Sequence, residues 1–361
     1  MLLLSNSRAL LAAWKTTVFV LKVLPTMPSG ALDRLTPDPV VETLEYPSDA
    51  GPVTGDLYRP AGPGPHPGIV VCLGVVPFGV DHPQVPRLGE ALARSGFAAL
   101  LYWSPAMRDF RLDPEDIDNI ARAYQRLVEQ PYIDAARSGL IGTCVGGSFA
   151  LMAAASPLVR DRVAFVAAFA PYGSLVSLAH DIASSSCLRG DKRGAWPVDP
   201  LTRKVFVHSV TARLDPAEAR ALRDAYEAGS EAIGPDGMSE DGAAVMSLLA
   251  ARDVRQAKAA LAGLPQEVSD GLRDLSPITY LAGLKAPLVT VSHDQDDQVI
   301  PVAESRALRS VLAGRPGFHY TEFAMFQHAD PTKRKLSPPK LLWQLGKFYL
   351  WLHAVFRHAV A

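Results

Sequence analysis

The chain has 361 residues, and 48% of them are hydrophobic. This length and composition exclude a disordered chain and indicate a folded body with a substantial core. Lys and Arg total 36 and Asp and Glu total 37, for a formal net charge of -1. Without an overall positive field, the sequence gives no reason to expect nucleic acid as a partner.

The first 30 residues predict an amphipathic N-terminal helix. Lys15 and Lys22 interrupt its apolar run before the roughly 20 residues that a membrane span needs. Arg8, Lys15 and Lys22 recur every seven residues and share one helical face, as in a docking or interfacial helix. We also expect no signal peptide, because no uninterrupted apolar stretch follows a basic start. These features predict a cytoplasmic protein.

The C-terminal segment LLWQLGKFYLWLHAVF carries five aromatic residues and few charges, so we predict a final helix there. Packing of this helix on a sheet, against the N-terminal helix, would account for both apolar stripes. Peripheral membrane contact through the N-terminal helix, or self-association through both terminal helices, remains an open alternative.

Between the termini, the pattern predicts a doubly wound, mostly parallel α/β sheet. Residues 40–47 and 53–58 alternate as two half-exposed strands of a hairpin. The segments IVVCL, FAALLYW, SGLIG and VAFVAAF then alternate with three helical segments, PRLGEALARSG, DPEDIDNIARAYQRLVEQ and GGSFALMAAA. Short apolar runs separated by helices are typical of parallel strands covered on both faces.

The alternation stops at residue 173, and residues 174–275 favour helix almost throughout. Strand patterns resume with PLVTVSH and FHYTEFAMF before the C-terminal helix. We therefore predict one core formed by residues 31–173 and 276–361, with residues 174–275 inserted as a helical lid above the sheet.

The segment Gly142-Thr143-Cys144-Val145-Gly146 is the most informative motif, because it lies where a buried strand ends and a helix begins. Flanking glycines permit the sharp turn of a G-x-nucleophile-x-G elbow, with cysteine in the nucleophile position. The helix N-terminus would favour the thiolate. The alternative is a small buried core residue. Core packing is what we expect of Cys72, and we expect no role for Cys187, which has no partner in view.

An elbow nucleophile needs a base and an orienting carboxylate, which this type of sheet delivers in the order nucleophile, acid, histidine. Asp297 follows the strand PLVTVSH and precedes Pro301 by four residues, and His328 follows FHYTEFAMF. The competing candidates are Asp294 and Asp296 for the acid and His293 and His319 for the base.

These residues resemble those of the α/β-hydrolase superfamily and, within it, the dienelactone hydrolase family. The resemblance covers roughly residues 40–173 and 276–352. Gly142, Cys144, Gly146 and Gly147 match the G-x-C-x-G-G elbow of that family. The resemblance implies a triad in which Cys144 is the nucleophile, Asp297 the acid and His328 the base.

The same resemblance implies further site residues. The backbone N–H groups of Val145 and Val75 would form the oxyanion hole, and Arg108 would hold a substrate carboxylate. Phe78 and Trp103 are further candidate substrate contacts. The loop from Leu73 to Val80 lacks the glutamate that often restrains the resting cysteine in the family.

Together these features predict a cofactor-independent hydrolase of carboxylic esters or lactones that forms an acyl-enzyme on Cys144. Its substrate would be a small-molecule acyl compound that is apolar or activated, and larger or more apolar than a small dicarboxylate lactone. No sequence pattern predicts a metal or a nucleotide cofactor. Two alternatives remain open: an acyltransferase or thioesterase that uses the same triad, and a non-catalytic scaffold that binds a lipid or a partner.

Overall fold

A computed structural model describes residues 2–23, 30–76, 82–227, 237–326, 328 and 336–360. Eight of its ten strands form one sheet in the order β1-β2-β4-β3-β5-β6-β9-β10, while β7 and β8 form a separate hairpin. The strands are β1 (Val40–Ser48), β2 (Gly51–Arg59), β3 (His66–Cys72), β4 (Ala98–Tyr102), β5 (Ile133–Thr143), β6 (Phe165–Phe169), β7 (Ser186–Arg189), β8 (Lys192–Ala195), β9 (Leu288–Asp294) and β10 (Phe318–Phe323).

The described α-helices number fourteen. They are α1 (Leu2–Val23), α2 (Gly30–Leu35), α3 (Gln84–Arg94), α4 (Pro105–Arg108), α5 (Glu115–Val128), α6 (Val145–Ala155), α7 (Leu175–Ala183), α8 (Pro200–Val210), α9 (Pro216–Glu227), α10 (Glu240–Leu249), α11 (Val254–Ala262), α12 (Gln266–Asp274), α13 (Val302–Leu312) and α14 (Pro338–Val360). Two single 3-10 turns, Pro277–Thr279 and Leu281–Gly283, precede β9.

The predicted doubly wound, mostly parallel sheet is confirmed. β1 and β2 form the expected antiparallel hairpin, and β2 pairs antiparallel with β4. From β4 to β10, neighbouring strands run parallel. The carboxyl ends of the parallel strands therefore meet at one edge, where ligands bind in open α/β sheets. We call it the carboxyl edge.

Alternating side chains of the buried strands enter two apolar cores, one on each face of the sheet. In β3, Val70 packs towards α5 and α6, whereas Ile69 and Val71 pack towards α3 and α14. Every residue of α6 is buried. This explains its uniform composition of Gly, Ala, Ser and large apolar residues, because no face of the helix reaches water.

The terminal helices pack on each other, as one of the two sequence interpretations expected. The rings of Phe19 and Phe356 lie 5.8 Å apart, and Tyr349 Oη donates to the carbonyl of Ala13 at 3.0 Å. The basic stripe of α1 does not all face outward. Lys22 is buried and paired with Asp33, and Lys15 packs over Gly96. Among the described residues, none of the helices has both the length and the apolar content needed to cross a bilayer.

Six helices, α7 to α12, lie between β6 and β9, in the segment predicted as a lid. The β7–β8 hairpin in this segment was not predicted, since its turn Gly190-Asp191 lies in a polar stretch without an apolar alternation. Tyr172 Oη donates to the carbonyl of Leu275 at 2.8 Å, so the two ends of the segment lie together. We call residues 174–275 the insertion; a lid function for it stays a prediction.

Candidate active site

Cys144 lies between β5 and α6 at the carboxyl edge, partly exposed. Its φ is 57°, a left-handed conformation that residues other than glycine rarely adopt. Two backbone bonds hold the turn: Cys144 N–H donates to the Phe169 carbonyl at 2.8 Å, and Gly147 N–H donates to the Cys144 carbonyl at 3.0 Å. Backbone strain held by its surroundings in this way is typical of functional turns.

The glycines of the elbow are required by close backbone contact. A Cβ atom on Gly146 would lie 2.2 Å from the carbonyl oxygen of Cys72, and one on Gly142 would lie 2.3 Å from that of Gly146. Neither position has room for a side chain. The helix therefore approaches β3 and β5 closely enough to fix the first turn of α6 beneath Cys144.

Asp297 lies in the loop after β9, and its side chain is fully buried. One carboxylate oxygen, Oδ1, accepts the N–H groups of Val299 at 2.7 Å and Ile300 at 3.0 Å. The other, Oδ2, accepts His328 Nδ1 at 2.8 Å. Burial would raise the pKa of Asp297, but the charge of His328 and hydrogen bonds from His328 and His293 lower that pKa below its usual range.

His328 lies between Asp297 and Cys144, with its side chain 17% exposed. Its backbone φ is 72°, so it shares with Cys144 the left-handed conformation. Burial opposes the charged imidazole. The negative charges of Cys144 and Asp297, with hydrogen bonds to both, outweigh burial and raise the pKa of His328 above its usual range. These two neighbours therefore favour the charged form of the His328 imidazole.

The two competing acids and His319 take no part in the contact between Asp297 and His328. His319 and Asp296 are exposed. Asp294 is fully buried, and its Oδ2 accepts the N–H groups of Met325 and Phe326, both at 2.7 Å. Asp294, the last residue of β9, thus supports the backbone just before His328, a contact that its polar sequence context did not reveal.

His293, which the sequence offered as an alternative base, instead contacts the candidate acid Asp297. It is fully buried, and its Nε2 lies 2.9 Å from the Ile300 carbonyl and 3.3 Å from Asp297 Oδ2. Its position four residues before Asp297 was the available signal, but strand histidines are usually core residues. Here the ring positions the carboxylate that bonds to His328.

The insertion contacts the acid loop directly. Trp196 Nε1 donates to the carbonyl of Gln298 at 3.0 Å, and Thr202 Oγ1 donates to the carbonyl of Val299 at 2.9 Å. Both acceptors directly follow Asp297. Trp196 is fully buried. The insertion therefore helps to hold the candidate acid in place.

The two predicted oxyanion donors lie in neighbouring segments. Val145 is the first residue of α6, so its N–H has no carbonyl within the helix to bond. Gly74, just before Val75, packs on the elbow: a Cβ atom there would lie 3.0 Å from Gly146 N and 3.1 Å from Val145 Cγ2. Their role stays a prediction. Phe78 lies outside the described residues.

Arg108 and Trp103 form a separate pair. Trp103 is buried, and the exposed guanidinium of Arg108 lies 5.8 Å from the centre of its ring. Substrate contact by either residue stays a prediction. Within the described part of the chain, no cluster of His, Cys, Asp and Glu is arranged to hold a metal ion.

Cys72 and Cys187 are both buried, and burial raises the pKa of each thiol. Cys72 lies within β3, as its apolar sequence context predicted. Cys187 lies in β7 within the insertion. Cys144 is the more exposed thiol and the one beside an imidazole.

Comparison with known proteins identifies the fold. No protein-family model and no curated protein sequence matches the chain. An acylaminoacyl peptidase in complex with Z-Gly-Gly-Phe-chloromethyl ketone matches in structure with a TM-score of 0.56 and 14% identity, over 89% of this chain and 42% of the peptidase. The chain thus spans about two fifths of the length of that peptidase.

Two further solved structures are similar. For a 2,6-dihydroxy-pseudo-oxynicotine hydrolase the TM-score is 0.52 at 16% identity, over 88% of this chain and 68% of the other. For the alpha/beta hydrolase GrgF from Penicillium sp. sh18 the TM-score is 0.51 at 16% identity, over 87% and 99%. The chain therefore has the α/β-hydrolase fold.

Proposed function

We propose that the protein is a cofactor-independent hydrolase that cleaves carboxylic esters or lactones through an acyl-enzyme on Cys144. The observation that carries the proposal is the 2.8 Å bond between His328 Nδ1 and Asp297 Oδ2, made beside the thiol of the elbow. The fold supports hydrolysis as the reaction class, since its structural neighbours include hydrolases and peptidases.

In this proposal His328 Nε2 takes the proton of the Cys144 thiol, and the thiolate attacks the substrate carbonyl carbon. The C–S bond forms, and the carbonyl electrons move to an oxyanion bound by the N–H groups of Val145 and Val75. Collapse of this intermediate breaks the C–O bond to the alcohol, which receives its proton from His328.

Water completes the cycle. His328 takes a proton from the water, whose oxygen attacks the thioester carbonyl, and cleavage of the C–S bond releases the acid and restores the thiolate. Asp297 accepts from Nδ1 throughout, which holds the imidazole with Nε2 towards the thiol and stabilises its charged form.

A cysteine nucleophile narrows the substrate class. A thiolate leaves the tetrahedral intermediate easily, so attack is productive when the alcohol departs as a stabilised anion. Enol-lactones and activated esters meet this condition. This is the chemistry that the resemblance to dienelactone hydrolases implies.

The test is intact-mass spectrometry after mixing the protein with p-nitrophenyl esters, enol-lactones and acyl thioesters. An N-acyl amino acid anilide belongs in the panel because of the acylaminoacyl peptidase neighbour. We expect an acyl adduct on Cys144 and a loss of about 10⁴-fold in turnover for Cys144→Ala. Cys187→Ala is the matched control and should keep full activity. Equal adducts on Cys144→Ala would refute the proposal. An added alcohol or amine acceptor distinguishes hydrolysis from acyl transfer.

A further inference from the structure

The paired terminal helices expose an unusual amount of apolar surface. Among the described residues, seven of the thirteen exposed large hydrophobic side chains lie on α1 and α14, so the exposure is concentrated there. We call these seven the outer face: Leu10, Leu11 and Trp14 on α1, and Leu341, Leu342, Trp343 and Leu350 on α14. Exposed apolar side chains that are gathered on two packed helices, rather than scattered singly, often mark an interaction surface.

The two helices run parallel and in contact, so the residues of the outer face lie on neighbouring helices. Ala13 contacts Tyr349, and Thr16 Oγ1 lies 3.4 Å from His353 Nδ1, one turn further along both helices. This offset places Leu10 and Trp14 at the level of α14 residues 346–351. Leu350 therefore lies level with Trp14, whereas Leu341, Leu342 and Trp343 lie about one to one and a half turns before the level of Leu10.

The outer face lies at the same end of the sheet as the candidate active site. Gln344 accepts the N–H of Ala324 at 3.0 Å, and the ring of Phe348 lies 5.1 Å from that of Phe326, two residues before His328. The other end of α14 reaches the starts of the strands, where Phe356 packs 5.0 Å from Phe97. Apolar surface is thus presented beside the site.

The charges of the two helices have one sign. Neither α1 nor α14 contains Asp or Glu, although the chain has 37 such residues. Three of their basic side chains, Arg8, Lys340 and Arg357, are exposed. Lys15, Lys22 and Lys347 instead pack against the protein, Lys347 by donating to the carbonyl of Glu322.

We propose that the outer face docks on an anionic lipid surface. Exposed leucines would enter the apolar layer, and Trp14 and Trp343 match the preference of tryptophan for the water–lipid boundary. Anionic headgroups would neutralise the exposed basic residues. A second copy of the chain is the less suitable occupant, because a two-fold contact would bring like charges together without an acidic partner on either helix.

Co-sedimentation of the full chain with vesicles tests this proposal. We expect binding to phosphatidylcholine vesicles that contain phosphatidylserine, and weaker binding to phosphatidylcholine alone or at high salt. The double variant Trp343→Ser, Leu350→Ser should bind at least about tenfold more weakly, since two exposed apolar anchors are lost. Leu188→Ser and Val311→Ser, exposed apolar sites on the insertion and on α13, are the matched controls and should bind normally.

Two results would overturn the proposal. One is equal binding of the wild type and the double variant to anionic vesicles. The other is a concentration-dependent dimer in sedimentation velocity that the same double variant abolishes, which would make a second copy the occupant. Because Cys144→Ala should still bind vesicles, a failure of docking is distinguishable from a failure of the proposed hydrolase chemistry.

Discussion

The elbow that carries Cys144 and the region around Asp297 and His328, called here the acid–base region, are held in place by different interactions. The elbow is fixed by backbone packing, since Gly142 and Gly146 touch main-chain atoms where no side chain fits. The acid–base region is fixed by buried polar side chains, chiefly Asp294, His293 and Asp297. We therefore expect steric overlap to be what disrupts the elbow in variants. The acid–base region should instead be disrupted by lost hydrogen bonds or altered protonation.

The largest expected effect comes from Gly146→Ala. The new methyl group would lie 2.2 Å from the Cys72 carbonyl oxygen, so α6 must move away from β3 or the chain must fail to fold. We expect a loss of more than about 4 kcal/mol in the free energy of unfolding, measured by urea titration. Gly271→Ala, which meets no atom within 4 Å in α12, is the control and should stabilise by up to about 1 kcal/mol. A Gly146→Ala protein with wild-type stability would contradict the steric account.

Asp294→Asn should have the next largest effect. The amide keeps the shape but cannot accept all three backbone N–H groups, those of Asp296, Met325 and Phe326, that the carboxylate accepts. We expect a loss of about 2 kcal/mol in stability and a fall in kcat larger than the change in KM, because the loop carrying His328 loses support. Asp191→Asn, in the exposed turn of the β7–β8 hairpin, is the control. Unchanged kcat in Asp294→Asn would show that this contact does not position the base.

The pKa of His328 reports on the contact between the two regions, because Cys144 of the elbow raises it. The charge of Cys144 raises the pKa of His328, so Cys144→Ser should lower that pKa. NMR titration of the imidazole measures the change. A histidine with a raised folded pKa stabilises the fold fully below its unfolded value, about 6.5, and loses that stabilisation as the pH rises through the folded pKa. The loss should therefore be smaller, and complete at a lower pH, in Cys144→Ser than in the wild type. An unchanged His328 titration would show that Cys144 does not raise the pKa of His328.

The opposite sign applies to Asp297, whose folded pKa is lowered. Its stabilisation is present above the unfolded value, about 3.9, and is lost as the pH falls through the folded pKa. Asp297→Asn should flatten the acidic limb of a plot of unfolding free energy against pH. If the unfolding free energy of that variant fell with acid as steeply as in the wild type, other groups would be responsible for the acid sensitivity.

The smallest effect is expected from Tyr172→Phe. This change deletes one buried bond to the Leu275 carbonyl, between the two ends of the insertion, and leaves the packing of the ring unchanged. We expect a loss of about 1 kcal/mol by urea titration, with the site geometry intact. Wild-type stability would mean that the carbonyl finds another donor.

The sequence predicted the parts of this molecule that local patterns encode. The strand–helix alternation, the terminal helices and the glycine-flanked position of Cys144 follow from apolar spacing and from the steric needs of a turn. Asp297 and His328 came from motif order, and the structure places them in contact.

Side-chain partners distant in sequence could not be predicted in this way. Asp294 and Asp297 lie in the same polar stretch, and only the fold shows that one faces backbone N–H groups and the other an imidazole. Likewise, spacing placed Arg8, Lys15 and Lys22 on one face, but the packing of α3 and the pairing with Asp33 determine which of them meet water.

The bonds from Trp196 and Thr202 to the backbone beside Asp297 tie the position of this loop to the position of the insertion. If the whole insertion swung outward, both bonds would break and the carboxylate loop would lose two of its anchors at the moment of opening. Any displacement of the insertion from the sheet would therefore also disturb the carboxylate that bonds to His328.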